Sequence, residues 1–196
     1  MSAGAPAGRS RPAGAGPGRP SAAPPSDAAS IDLARYLPHR APMLLVDRIL
    51  AVGPGGVIAA EKRVRPDDPF LDGHFPGQPV FPGALLLEGL AQCSLVLFQV
   101  AQGLLAPGEV GVFGGAAGRF LGPVFPGDTL VYRVEAVKMT STGGVFRGRA
   151  TVGERLVARG EMTMARARYD ALRKGPGSGA TGRAGEGPAG AGKGGR

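Results

Sequence analysis

His74 is one of only two histidines in a chain of 196 residues, and it lies in the run GHFPGQPVFPGALLLEGLAQ, residues 73–92. Gly73 precedes it and Phe75-Pro76-Gly77 follows, a frame that fixes a turn. Fourteen positions on, Glu88 is the lone charged residue of the apolar run ALLLEGLAQCSLVLFQVAQG. A carboxylate buried in such a run is costly unless something pairs with it. Between the two, Pro82-Gly83 marks the start of a helix. The N–H groups near Gly83, Ala84 and Leu85 lack acceptors within a helix and suit an anion or a developing oxyanion. Glycine at 83 also admits close approach of a substrate. A base, an acid and an oxyanion donor are what removal of a proton beside a carbonyl requires. Histidine suits the base, since its unperturbed pKa lies near neutrality. Each residue also has a plainer reading: His74 as a structural turn residue, Glu88 as one half of a salt bridge to an arginine. The residues by themselves support a small-molecule site with acid–base character.

The elements that would position this site can be read in outline. IDLARYL (31–37) reads as a helical turn stopped by Pro38. Residues 43–52 and 56–64 read as strands joined by the GPGG turn into a hairpin. RPDDPFLDGHFPGQPVFPG has five prolines; these exclude a long helix or an interior strand, leaving a loop longer than a compact domain usually carries without a purpose. Ala84–Gly103 is apolar on nearly every side, as in a buried helix, and Gly103 supplies its stop. Strands are expected at 109–114, 117–121, 129–139, 144–152 and 155–166, with alternation in TLVYRV, GVFRGRA and ARGEMTM and turns at STGG and VGE. The economical arrangement is α+β: an antiparallel sheet wrapped around one long central helix. One sheet hides only part of such a helix, so a second copy of the chain is expected to complete its burial.

Composition divides the chain. Residues 1–30 are almost all Ala, Gly, Pro, Ser and Arg, and residues 171–196 are dominated by Gly. Such stretches bury too little surface to offset their ordering entropy and read as disordered tails, leaving a domain over 31–170. The formal charge is +8, and most of it falls in the tails. They hold no aromatic residues and the domain is nearly balanced, which argues against nucleic acid. The single cysteine, Cys93, cannot form an internal disulfide, which fits a reducing compartment. No secretory signal or run of eighteen apolar residues is visible, so the cytoplasm is expected.

Three blocks together resemble a known family. LPHRAPMLLVDRI (37–49), GHFPGQPVFPGALLLEGLAQ (73–92) and RFLGPVFPGD (119–128) are similar to the signature blocks of the (3R)-hydroxyacyl-[acyl-carrier-protein] dehydratases of FabZ type, in the same order and at compatible spacings. The resemblance covers about residues 33–168 and neither tail. It implies a hot-dog fold, a homodimer and often a trimer of dimers. It implies a site at the dimer interface, with His74 from one subunit and Glu88 from the other, and with the Gly83 N–H polarising the thioester carbonyl. The implied reaction is loss of water from a (3R)-3-hydroxyacyl thioester on acyl carrier protein to give the trans-2-enoyl thioester. His74 would remove the α-proton; Glu88 would protonate the leaving hydroxyl or orient the water formed. No cofactor or metal is implied.

Some residues depart from that pattern. Glu88, rather than aspartate, favours the plain dehydratase over the isomerising FabA type. Cys93 and Ser94 stand where smaller residues are common, and Cys93 reads as packing. FGGAAG (113–118) is poorer in polar residues than the family's usual stretch, which leaves chain length and carrier identity open, as between fatty-acid and polyketide-type pathways. His39, in the LPHR block, reads as a structural hydrogen-bonding residue. An acyl carrier protein is acidic, and Arg119, Arg133 and Lys138 are candidate docking charges. Two other readings stay open: a hot-dog thioesterase using the same helix N-terminus, and a non-catalytic dehydratase-like subunit that binds a carrier or a catalytic partner.

Overall fold

The computed structural model describes residues 28–174. The tail regions 1–27 and 175–196 lie outside the described residues. Of the stretches read as tail that do fall inside, 28–30 forms a 3-10 turn and 171–174 belongs to a terminal helix, α3 (Tyr169–Lys174). The other helices are α1 (Leu33–Tyr36) and α2 (Gly83–Gln102). The strands are β1 (Arg48–Gly53), β2 (Val57–Arg63), β3 (Glu109–Phe120), β4 (Thr129–Thr140), β5 (Gly143–Val152) and β6 (Arg155–Arg168). They form one antiparallel sheet in the order β1-β2-β4-β5-β6-β3, with α2 packed against one face.

The expected elements are present, with two differences that have physical causes. The strand expected from residue 43 begins at Arg48. Over 43–45 the backbone is held by a helix side chain instead of a neighbouring strand: Met43 C=O accepts from Gln92 Nε2 and Leu45 N–H donates to Gln92 Oε1. The strands expected at 109–114 and 117–121 are one strand, β3, with a register shift between Phe113 and Gly115. Gly114-Gly115 mimics a turn in sequence but works here as a bulge.

Helix α2 has the length and hydropathy of a membrane span, yet most of it is buried within the fold, as in the core helix of a globular domain. Every residue from Gly89 to Gln99 is buried by the chain itself. The sheet covers one side, and the segment preceding β1 covers another through Gln92 and through Gln99, which donates to Tyr36 C=O. Self-burial is therefore more complete than one sheet alone would give. The first turns are less covered: Ala84 is exposed, and Leu85, Leu87 and Glu88 are half-buried.

What allows α2 to sit so close is a row of glycines. Gly118, Gly160 and Gly148 are register partners on β3, β6 and β5. A Cβ at Gly118 would lie 2.6 Å from Leu87, and one at Gly148 would lie 2.8 Å from Leu90. Gly89 on the helix does the reverse: a Cβ there would stand 2.4 Å from the Tyr132 ring and hydroxyl. Tyr132 is fully buried and its rigid ring cannot yield as a leucine terminus can.

Gly89→Ala is expected to lower stability by about 1–3 kcal/mol, although alanine gains roughly 1 kcal/mol of helix propensity over glycine. Urea unfolding measures it. Adding Tyr132→Leu should restore most of the loss, because the two substitutions share one contact.

Candidate active site

The histidine loop is anchored at both ends. Leu71 and Phe81 are buried, and Phe81 N–H donates to Val124 C=O at 2.8 Å, tying the loop to the proline-glycine corner between β3 and β4. Upstream, Lys62 points inward from β2 and is 3 % exposed. Its Nζ lies 3.6 Å from Asp68 Oδ2 and 4.0 Å from Asp47 Oδ1. Those carboxylates in turn accept Arg65 N–H and Arg63 N–H. A buried ammonium needs such partners, and here they fasten the loop to the sheet. The parity of β2, with Ile58, Ala60 and Lys62 all buried, was the sequence signal for this lysine.

His74 is held by three bonds. Its N–H donates to Leu71 C=O at 3.1 Å, and its C=O accepts from Val80 N–H at 3.1 Å. Its ring Nδ1 stands 2.9 Å from Val80 C=O. A carbonyl only accepts, so Nδ1 carries a proton, and in the neutral ring Nε2 is then the acceptor. The ring stacks on Phe75 with centroids 4.2 Å apart. The loop thus presents a half-buried imidazole in the tautomer suited to a base.

Glu88 sits in the second turn of α2. No arginine among the described residues pairs with it. Its Oε1 accepts from Gln92 Nε2 at 3.0 Å, and His39 Nε2 lies 3.6 Å away. Gln92 is fully buried, and its amide makes three bonds: to Glu88, to Met43 C=O at 2.7 Å and from Leu45 N–H at 2.9 Å. The carboxylate is therefore positioned within one chain, by a glutamine and by the LPHR histidine. Glu88 Oε2 has no hydrogen-bond partner among the described residues. Gln92 was legible only as the residue one helical turn beyond Glu88. The His39 contact spans 49 positions, and no local signal announces it.

At the start of α2, Pro82 is the N-cap and offers no side-chain cap. Leu85 N–H is taken by Pro82 C=O at 3.0 Å, so it is not among the free donors expected there. Gly83 and Ala84 N–H make no hydrogen bond to the described residues. The Phe120 ring lies 3.1 Å from where a Cβ on Gly83 would stand, so glycine lets the end of β3 close over the helix start. His74, Gly83 and Glu88 all flank that start, but no hydrogen bond or ion pair joins His74 to Glu88 within the chain. Cys93 is buried, and burial pushes its thiol pKa up, away from a reactive thiolate.

Gln92→Leu is expected to destabilise the fold by about 1–3 kcal/mol, because Leu45 N–H and Met43 C=O lose their partner in the interior. Glu88→Gln should cost less, since its amide oxygen can still accept from Gln92. Denaturant midpoints of the two variants test the order.

Comparison with known proteins agrees with this fold. Residues 37–161 match the model of the FabA-like domain. The 3-hydroxyacyl-[acyl-carrier-protein] dehydratase FabZ of Blochmanniella pennsylvanica is 43% identical over 136 residues, covering 69% of this chain and 90% of that protein. The dehydratase of the same name from Proteus mirabilis is 44% identical over 133 residues, covering 67% and 89%. Among solved structures, the dehydratase heterocomplex ApeI:P from Xenorhabdus doucetiae superposes with a TM-score of 0.59 at 20% identity, over 74% of this chain and 96% of that one. A hot-dog-like protein from Thermanaerovibrio acidaminovorans gives 0.50 at 21% identity, over 61% and 87%. These likenesses establish the hot-dog fold, and with the domain match and the identity to the two dehydratases they show that the chain belongs to the FabA-like family of 3-hydroxyacyl-[acyl-carrier-protein] dehydratases.

Proposed function

We propose that the protein removes water from a (3R)-3-hydroxyacyl thioester carried on acyl carrier protein and releases the trans-2-enoyl thioester. The observation that carries this reading is the state of His74. With Nδ1–H spent on Val80 C=O, Nε2 is the ring's free acceptor and takes the α-proton. The Cα–H electron pair forms the new double bond as the Cβ–O bond breaks. Glu88 meets the departing hydroxyl through Oε2, the oxygen not engaged by Gln92; in that role Oε2 carries the proton, and the hydroxyl leaves as water. The Gly83 N–H, at a helix start that favours negative charge, hydrogen-bonds the thioester oxygen as enolate character develops.

The working unit is a homodimer in which His74 of one protomer faces Glu88 of the other. Two features support this. No hydrogen bond or ion pair joins the two side chains within one chain. In addition, β3 is an edge strand whose free side is long and exposed over Gly114–Phe120, a surface that natural sheets cover or pair. Pairing through β3 would cover the exposed Phe120 as well. The place of action is the cytoplasm, consistent with the single buried cysteine.

In a spectrophotometric assay with 3-hydroxyacyl and trans-2-enoyl thioesters of several lengths, wild type should interconvert the two. His74→Ala and Glu88→Gln should each lose about 100-fold or more. Release of free thiol without enoyl product would instead make the protein a thioesterase. The shared site has its own test. Co-expressing the two inactive variants as differently tagged chains should restore about a quarter of wild-type activity, since each mixed dimer regains one intact site. No recovery in purified mixed dimers would mean that His74 and Glu88 act within one chain.

A further inference from the structure

The LPHR turn ahead of β1 holds a histidine that no step of the proposed dehydration employs. His39 points its ring Nε2 at Glu88 Oε1 across 3.6 Å. The turn behind the ring is closed on itself. The Arg40 guanidinium donates to the C=O groups of Leu37 at 2.9 Å, His39 at 2.7 Å and Ala34 at 3.4 Å, and Leu37 is buried. The direction of the ring is therefore set before it reaches the helix.

The other ring nitrogen, Nδ1, is buried and has no hydrogen-bond partner among the described residues. Such an atom costs stability and calls for a reason beyond the fold. It also fixes the tautomer. A proton on Nδ1 would be a buried donor with no acceptor, so in the neutral ring the proton sits on Nε2, the nitrogen that faces Glu88. Gln92 donates to the same carboxylate oxygen, Oε1, at 3.0 Å. The Gln92 amide cannot turn over, because its oxygen accepts from Leu45 N–H and its nitrogen donates to Met43 C=O. Oε1 thus faces two N–H groups, while Oε2 faces none among the described residues. An oxygen that meets two donors uses both lone pairs in accepting, so the carboxyl proton belongs on Oε2.

We infer that His39 is a positioning residue for the dehydration: by donating Nε2–H to Glu88 Oε1 it turns the carboxyl so that Oε2 carries the proton toward the leaving hydroxyl. The inference rests on the dehydratase reading and deepens it. The contact is roughly 0.6 Å longer than a good N–H···O bond, and catalytic contacts of this kind tighten when substrate is bound. A neutral ring suits the task better than a lysine or an arginine. A full positive charge at this distance would hold Glu88 ionised and leave it no proton to give. The role is confined to departure of the hydroxyl. Removal of the α-proton belongs to His74, to which no hydrogen bond joins His39 among the described residues.

The test compares two pantetheine thioesters. One carries a (3R)-3-hydroxyacyl group, whose hydroxyl needs a proton to leave. The other is the matching 3-chloroacyl analogue, whose chloride leaves with its electron pair and needs none; His74 takes the α-proton in both. His39→Leu removes the donor. His39→Gln places an amide N–H where Nε2 stands, and His39→Asn places one where Nδ1 stands, out of reach of Glu88. The Gln and Asn pair decides the matter even where the Leu variant does not fold. In the Leu and Asn variants kcat for water loss should fall at least about tenfold, with KM within about twofold and chloride loss within about twofold of wild type. The Gln variant should recover water loss to within about threefold. Unchanged water loss in the Leu and Asn variants overturns the proposal. So does an equal fall in both reactions, which would make His39 a structural residue of the turn, or a Gln variant no faster than Asn. Wild type inert on the hydroxyacyl thioester would instead sink the dehydratase reading itself.

Discussion

The distance between α2 and the sheet is the constraint on which the other features depend. A helix on a sheet normally rests on a layer of side chains from both. Here Gly118, Gly160 and Gly148 remove that layer from three neighbouring strands, and Leu87 and Leu90 enter the space. Gly89 removes it from the helix where Tyr132 rises from β4. The contact is therefore made by interdigitation, and any added carbon is felt. The depth of the helix then sets the place of its first turn. Only at this depth does Phe120 reach over Gly83.

The same depth explains how an apolar helix tolerates a carboxylate. Glu88 leaves the helix at the turn just before burial becomes complete, beside a segment that has not yet become strand. Gln92 links the two. Its amide satisfies one donor and one acceptor of that segment and still has a proton for Glu88. Each of these groups would be unsatisfied alone, and a fully connected buried network is the form in which such groups are tolerated. His39 completes the surround at 3.6 Å from the carboxylate. Glu88 is thus oriented by Gln92 and the LPHR segment, while His74 is oriented by a separate loop anchored through Lys62, Leu71 and Phe81. Two independently rigid halves suit the proposed site between two protomers, because neither half can be adjusted by the other before assembly.

Much of this was legible in the sequence, and the boundary has a physical basis. Local rules sufficed for the helix, the alternating strands and the three residues flanking the helix start, because each depends on neighbours within a few positions. They failed where long-range partners take over a local signal. Gly114-Gly115 carries a turn signal, but pairing with β6 makes it a bulge. MLLV has a strand's composition, yet Gln92 takes its backbone groups. Leu85 N–H was expected free because a helix start leaves such groups unpaired, but Pro82 C=O accepts it in a tightened first turn. The partners of Gln92, His39 and Lys62 were missed for the same reason. Each is defined by contacts from another part of the chain, and a glutamine or lysine at an inward position shows its type in sequence but not its partner.

The glycine row also bears on what the opposite face can do. Successive residues of a strand point to opposite faces, so each inward glycine is flanked by outward residues: Gly118 by Arg119, Gly160 by Arg159 and Glu161, Gly148 by Arg147 and Arg149. Inside, the demand for close approach leaves no choice of residue. Outside, nothing among the described residues packs over them, and the outward positions are free of any demand from the core. In this stretch of sheet the two faces are uncoupled: the inner one is determined by the helix, and the outer one can carry charges that the fold alone would disfavour. Arg133, Arg149, Arg159 and Arg119 stand there in register, a repulsive row that is tolerable because the strands beneath it are held by the ladder and by the helix on the other face.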